Sequence, residues 1–253
     1  MFAGMLRAIG NSKAPLFILF ISTFTNIGLD FLFVKGLSLG VSGAAYATVI
    51  SQKISVVLCF IYITKKCPEL LFSAKELVFD RRLLSDLLST GIALGLMEAI
   101  VYAGSVIMQS AVNLLDTAVI AAHTAARKLN DIFMLPLGTI AMASSTFASQ
   151  NYGAGKIDRV KKGIRYSILI SFAWGAFALI VALLFRRVMI QGLTSTVNPE
   201  VVDTASQYIC LNVPFFFVLN ILLVLRNGLQ GVGRKIIPIC GSVVELVLKI
   251  VIL

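Results

Sequence analysis

TKKCPELLFSAKELVFDRRLLSD, residues 64–86, is the long polar interval in a chain of 253 residues that is otherwise nearly all apolar. Lys65, Lys66, Lys75, Arg81 and Arg82 stand here against Glu69, Glu76, Asp80 and Asp86. That density of charge keeps it out of hydrocarbon, where each ionised side chain costs at least ~2.5 kcal/mol near the bilayer centre. The interval predicts an aqueous loop with a surface helix, and the apolar stretches on either side predict two membrane lobes joined by it.

Composition agrees with that reading. With 58% hydrophobic and 13% charged residues and a mean hydropathy of +0.93, the chain lies far from the roughly 45–50% apolar, about 25% charged make-up of soluble domains. Apolar runs near 20 residues recur, the length an α-helix needs to cross a bilayer core of ~30 Å. The ~10-residue alternating segments of a membrane β-barrel are not seen. The fold class expected is an all-α polytopic membrane protein. The lipid bilayer is its first partner.

Seven spans are expected. Residues 14–34 form the first, with Pro15 in the opening turn where its missing N–H costs nothing, and residues 41–63 the second, entered through small residues Gly43, Ala44 and Ala47 that allow close helix approach. Beyond the polar interval, spans are expected at 87–112, 118–149, 163–188, 203–229 (with Pro214 inside) and from 238 onward. The fourth would run ~48 Å if straight, so Pro136 is expected to bend it. Residues 1–9 read as the last turns of a helix, and the chain as beginning partway along it.

The net charge of +10 does not point to nucleic acid, because the cations lie in short loops between spans. Most of the 22 Lys and Arg fall on the side that holds Arg7, Lys13, the 64–86 interval, the loop after Gln150, and Arg234 with Lys235. By the positive-inside rule that side is cytoplasmic. LRAIGNSKAP (6–15) and LQGVGRKIIP (229–238) share Leu first, an aliphatic then Gly at the fourth and fifth places, and Pro at the tenth. Both are turns feeding a proline-started span on that same side, as expected of lobes related by a parallel repeat.

No catalytic or metal-binding constellation is visible, and no enzyme is expected. Cys59, Cys67, Cys210 and Cys240 are scattered without a neighbouring His. Asp30 has no companion aspartates of the kind that hold Mg²⁺ against a diphosphate. Gly153, Gly155 and Lys156 fail the phosphate-loop pattern, with Gln150 where its first glycine belongs and Ile157 in place of Ser or Thr. With no nucleotide site, energy for transport would come from an ion gradient.

The intramembrane polar residues are the candidate site. Glu98 leads, because a carboxylate within a span usually faces a cavity or a partner, and burial favours its protonated form. Gln109 and Asn113 lie further along the same helix and read as bonds to neighbouring helices or a cavity wall. Asn26 and Asp30 share a face one turn apart, with snorkelling toward water near Lys35 an equal account of Asp30. Glu245 and Lys249, spaced i, i+4 with the acid first, read as an ion pair, with a cavity role as the alternative. His123 reads as an interfacial residue.

Three segments carry a family resemblance: LRAIGNSKAP; NIGLDFLFV (26–34) with GVSGAAYATVISQ (40–52); and MLPLGTIAMASSTFASQNYGAGK (134–156). Together with LQGVGRK they resemble the multidrug and toxic compound extrusion (MATE) transporters. The resemblance implies two pseudo-symmetric lobes of a twelve-helix transporter that exports small organic cations or drugs in exchange for H⁺ or Na⁺, with no cofactor. On that plan residues 1–63 are the remainder of the N-terminal lobe (the end of span 4, then spans 5 and 6). Residues 64–86 are the cytoplasmic inter-lobe linker, and residues 87–253 the C-terminal lobe through part of span 11. It also implies the plasma membrane and a C-lobe role for Glu98; where a family branch carries an aspartate for a C-lobe ion site, this chain departs and offers only the neutral amide of Asn220 as a candidate. Two other outcomes are a lipid-linked oligosaccharide flippase of the same superfamily and a transport-inactive truncated fragment.

Overall fold

The computed structural model describes residues 2–71, 80–194 and 198–252, and among them every regular element is helical. Among the described residues six helices are long and apolar enough to cross a membrane: Lys13–Gly36, Gly40–Lys66, Arg81–Val112, Thr117–Gly153, Ile157–Leu193 and Pro199–Gly231. A further apolar helix, Ile236–Ile252, follows them. The chain divides into two compact units, Met1–Asp80 and Arg81–Leu253.

In the first unit α1 (Phe2–Ala8) turns into α2 (Lys13–Asp30), which widens into a π-helical segment, Phe31–Gly36, before α3 (Gly40–Lys66) returns. Ser22 on α2 donates to the Ser51 carbonyl on α3 at 2.8 Å. The small-residue face works as its composition predicts: Ala47 is fully buried, and a Cβ on Gly43 would lie 3.0 Å from the Phe33 backbone. That space is what lets α3 pack on the π segment.

The second unit is built on α5 (Thr117–Gly153). Ala122, Ala126, Leu129, Phe133 and Leu137 recur at helical spacing and are buried against Ala178 and Ala182 of α6 (Ile157–Thr194), Ala205 and Ile209 of α7 (Pro199–Asn212), and Phe216 of α8 (Phe216–Gly231). Alanine dominates because helices that associate in lipid gain from close van der Waals packing. α5 runs unbroken through Pro136. The Trp174 indole N–H donates to the Phe133 carbonyl at 2.9 Å, one turn before that proline. Pro214 does interrupt its span: a 3₁₀ turn, Val213–Phe215, separates α7 from α8, as expected where a proline lacks the N–H and crowds the preceding turn.

The remaining helices, α4 (Arg81–Val112) and α9 (Ile236–Ile252), run side by side in the same direction. At one end Lys235 Nζ reaches the Asp86 carbonyl at 3.3 Å. At the other, a Cβ on Gly104 would lie 3.0 Å from Lys249 Cδ.

The polar interval is shorter as a loop than its charges imply. Thr64–Lys66 complete α3 and Arg81–Asp86 open α4, so helix continues past the apolar run at both ends. The surface helix expected inside it falls on residues 72–79, outside the described residues. The loop expected after Gln150 is likewise mostly helix, turning at Ala154–Lys156.

Both repeated segments fold as the same helix stop. Gly10 and Gly233, each fifth in its segment, take φ of +88° and +79°. Asn11 N–H bonds Leu6 O, and Arg234 N–H bonds Leu229 O, at 2.9 Å in each case. This is the left-handed glycine stop that satisfies a helix's last carbonyls. Gly155 ends α5 in the same way, with Lys156 N–H on Asn151 O; the proline five places after the glycine belongs only to the two repeated segments.

Candidate functional site

Polar groups inside the spans gather in separate places. In the first unit Asn26 and Asp30 sit one turn apart on α2, at the point where it widens into the π segment. Both are half-buried. Among the described residues Asn26 Nδ2 and Asp30 Oδ1 have no hydrogen-bond partner, and neither has solvent access, so snorkelling to water does not describe this carboxylate oxygen. Insertion of a π turn re-aims side chains and recurs at functional positions. Asp30 Oδ1 is thus an open acceptor and Asn26 Nδ2 an open donor.

In the second unit Asn220 on α8 is 1% exposed. Its Nδ2 donates to the Ser171 carbonyl on α6 at 3.1 Å, while its Oδ1 is buried without a partner. Gly175 makes the room, since a Cβ there would meet Asn220 Nδ2 at 3.3 Å.

Glu98 lies near the middle of α4, where burial was expected. In this chain α4 buries Met97 and Gly104 and has Glu98 on its exposed face. A mid-span carboxylate is too costly to face lipid, so that face of α4 meets water or protein. Gln109 and Asn113 bond each other at 2.9 Å along their own helix rather than a neighbouring one. His123 is half-buried, edge-on to Tyr208 with ring centroids 5.5 Å apart.

The densest cluster joins three helices. Lys249 Nζ lies 2.7 Å from Glu245 Oε1 on α9, and Arg226 Nη1 of α8 lies 3.9 Å from Glu245 Oε2. Arg226 Nε and Gln230 Nε2 both point at the sulfur of Met97 on α4, at 3.1 and 3.0 Å. Sequence reasoning missed Arg226, Gln230 and Met97 as a group. The available signal was a lone arginine inside an apolar span, with Gln230 one turn below it. Two cavities flank α9 here, about 140 Å³ beside Met97 and Gln230 and about 160 Å³ beside Arg226 and Glu245. The described residues hold no group of His, Cys, Asp or Glu arranged to bind a metal, and all four cysteines are free.

Long apolar helices packed through small residues, with costly polar groups kept inside them, define a polytopic membrane protein of the helical-bundle type. The sequence model of the MatE family matches residues 93–253, and the chain belongs to that family. The model for the lipid II flippase MurJ matches residues 2–123. Among curated proteins, the "Probable multidrug resistance protein YoeA" of Bacillus subtilis is 30% identical over 189 residues, covering 72% of this chain and 41% of that protein. The "Probable multidrug resistance protein NorM" of Thermotoga maritima is 25% identical over 244 residues, covering 94% and 51%. An outward-facing multidrug resistance MATE family transporter of the MOP superfamily superimposes with a TM-score of 0.86 at 20% identity, over 95% of this chain and 54% of that one. The fold is therefore that of MATE transporters. The chain spans about half the length of the curated relatives it matches.

Proposed function

We propose that the chain works as part of a secondary active multidrug exporter that moves small organic cations outward in exchange for H⁺ or Na⁺ by alternating access. It does so in the plasma membrane, with the linker in the cytoplasm. The observation that carries the coupling step is the unpartnered acceptor on α2, Asp30 Oδ1. A carboxylate oxygen inside a span with no donor is stabilised by a proton or a small cation, and releasing that charge on one side of the membrane supplies the exchange. Glu98, a mid-span carboxylate on the face of α4 that lipid cannot cover, is the second acid available to the cycle. Multidrug relatives and the family fold support the reading.

The test is efflux of a fluorescent organic cation from cells expressing the natural coding frame. Loss of efflux in both Asp30→Asn and Glu98→Gln, with membrane levels unchanged, supports it. Normal efflux in both removes these acids from the mechanism.

A second reading is transport of a lipid-linked oligosaccharide, favoured by the match of residues 2–123 to the flippase model. It predicts translocation of a labelled lipid-linked saccharide in vesicles, with no efflux of the cation.

A further inference from the structure

The Arg226 cluster carries more positive than negative charge. Two cations, Arg226 and Lys249, face the single carboxylate of Glu245, and Lys249 holds it. The Lys249 Nζ to Oε1 distance is 2.7 Å, whereas Arg226 Nη1 to Oε2 is 3.9 Å, beyond hydrogen-bond range. The rest of the guanidinium fares no better. Nε points at the Met97 sulfur, a weak acceptor, and Nη2 is buried with no hydrogen-bond partner among the described residues. The side chain is only 11% exposed, and a guanidinium cannot shed its charge by losing a proton. A buried, permanently charged fork of donors thus lacks the oxygen acceptors that normally justify it.

Beside this fork lies a cavity of about 160 Å³. Arg226 and Glu245 are its charged walls, and Leu222, Leu225, Leu229 and Ile237 make up most of its apolar lining. The excess positive charge repels a further cation. The guanidinium charge suits an oxygen of a carboxylate or phosphate, received beside Nη1, since Nε is turned to Met97 and Nη2 is closed off. The leucines match an apolar body. We infer that this cavity between α8 and α9 is a binding site for an oxyanion carried on an apolar molecule, with Arg226 as its anchor and Glu245 as a built-in competitor. The site lies in the second unit, on residues separate from Asn26 and Asp30, and its occupancy does not depend on ion exchange.

The experiment is calorimetric titration of the purified chain in a non-ionic detergent with decyl phosphate, inorganic phosphate and decyltrimethylammonium. Decyl phosphate is expected to bind saturably, and Arg226→Gln to weaken it at least about tenfold, the equivalent of losing a hydrogen bond to a charged group. Glu245→Gln removes the competing carboxylate and is expected to strengthen binding. Inorganic phosphate that binds with the same two responses supports the site and assigns it to free oxyanions. Phosphate that does not bind while decyl phosphate does supports it and assigns it to a lipid-like ligand. Absence of saturable decyl phosphate binding by the folded wild type overturns the inference. So does equally tight binding of decyltrimethylammonium, which would mark a merely apolar groove. Should Arg226→Gln fail to fold, Glu245→Gln decides: tighter binding supports the site, and unchanged or weaker binding refutes it.

Discussion

Gly231, at the last turn of α8, lies against the backbone of Ser145 in α5: a Cβ at position 231 would collide with the Ser145 carbonyl oxygen. The obstacle is backbone, which has little room to yield. Gly231→Ala is therefore expected to push α8 from α5 and destabilise the unit by about 1–3 kcal/mol, the usual range for overpacking. Gly91→Ala on α4, where a Cβ would have nothing within 4 Å, is the control and is expected to be neutral or stabilising by up to ~1 kcal/mol. Thermal unfolding in detergent, followed by far-UV circular dichroism, reads both. Equal melting temperatures would show that the helices part without cost.

Asn220 separates a structural role from a coupling role. Its amide ties α8 to α6 through Ser171 O at 3.1 Å, and the side chain is almost wholly buried. Asn220→Ala leaves a small cavity and removes one bond, so a loss of about 1–3 kcal/mol is expected. If that is its whole function, efflux per folded molecule stays near wild type. A stable Asn220→Ala protein with no efflux would place the amide in the ion pathway instead.

The spans were legible because a run of apolar residues is a physical statement about lipid, and no packing detail is needed to read it. The same logic misjudged where helices end. Thr64–Lys66 and Arg81–Asp86 are polar because they leave the hydrocarbon, yet they remain helical, since a helix satisfies its own backbone in water as well as in lipid. Gly10 and Gly233 were readable as turns from residue type alone. Arg226 was not readable as a site, because its partners come from positions far along the chain, Met97 on α4 and Glu245 on α9. Glu98 was visible as a costly residue, but its burial depended on which neighbours α4 meets, and the buried faces are those of Met97 and Gly104.

The Arg187–Asp203 pair illustrates the opposite case. At 2.7 Å it is as short as the Lys249 contact, but its side chains are 66% and 49% exposed. Solvent and salt screen such a pair, and it is worth about 0–1 kcal/mol. Asp203→Asn should shift the melting temperature barely at all, and less still in high salt. A large, salt-insensitive loss would mean that Asp203 does more than pair with Arg187.

Asp30 provides the sharpest separation of stability from function. Its Oδ1 is buried without a donor, so in the absence of a bound cation that oxygen is a cost to the fold. Asp30→Asn keeps the shape and removes the charge. Melting temperature is expected to stay level or rise, while coupled efflux falls to background, a combination typical of sites that hold strain or unpaired charge for function. The stabilising effect of added Na⁺ on the wild type should vanish in the variant, because the site that binds the ion is gone. A variant that loses stability and keeps its ion response would show that Asp30 is held by contacts within the fold and that coupling lies at another acid, Glu98 being the next to replace.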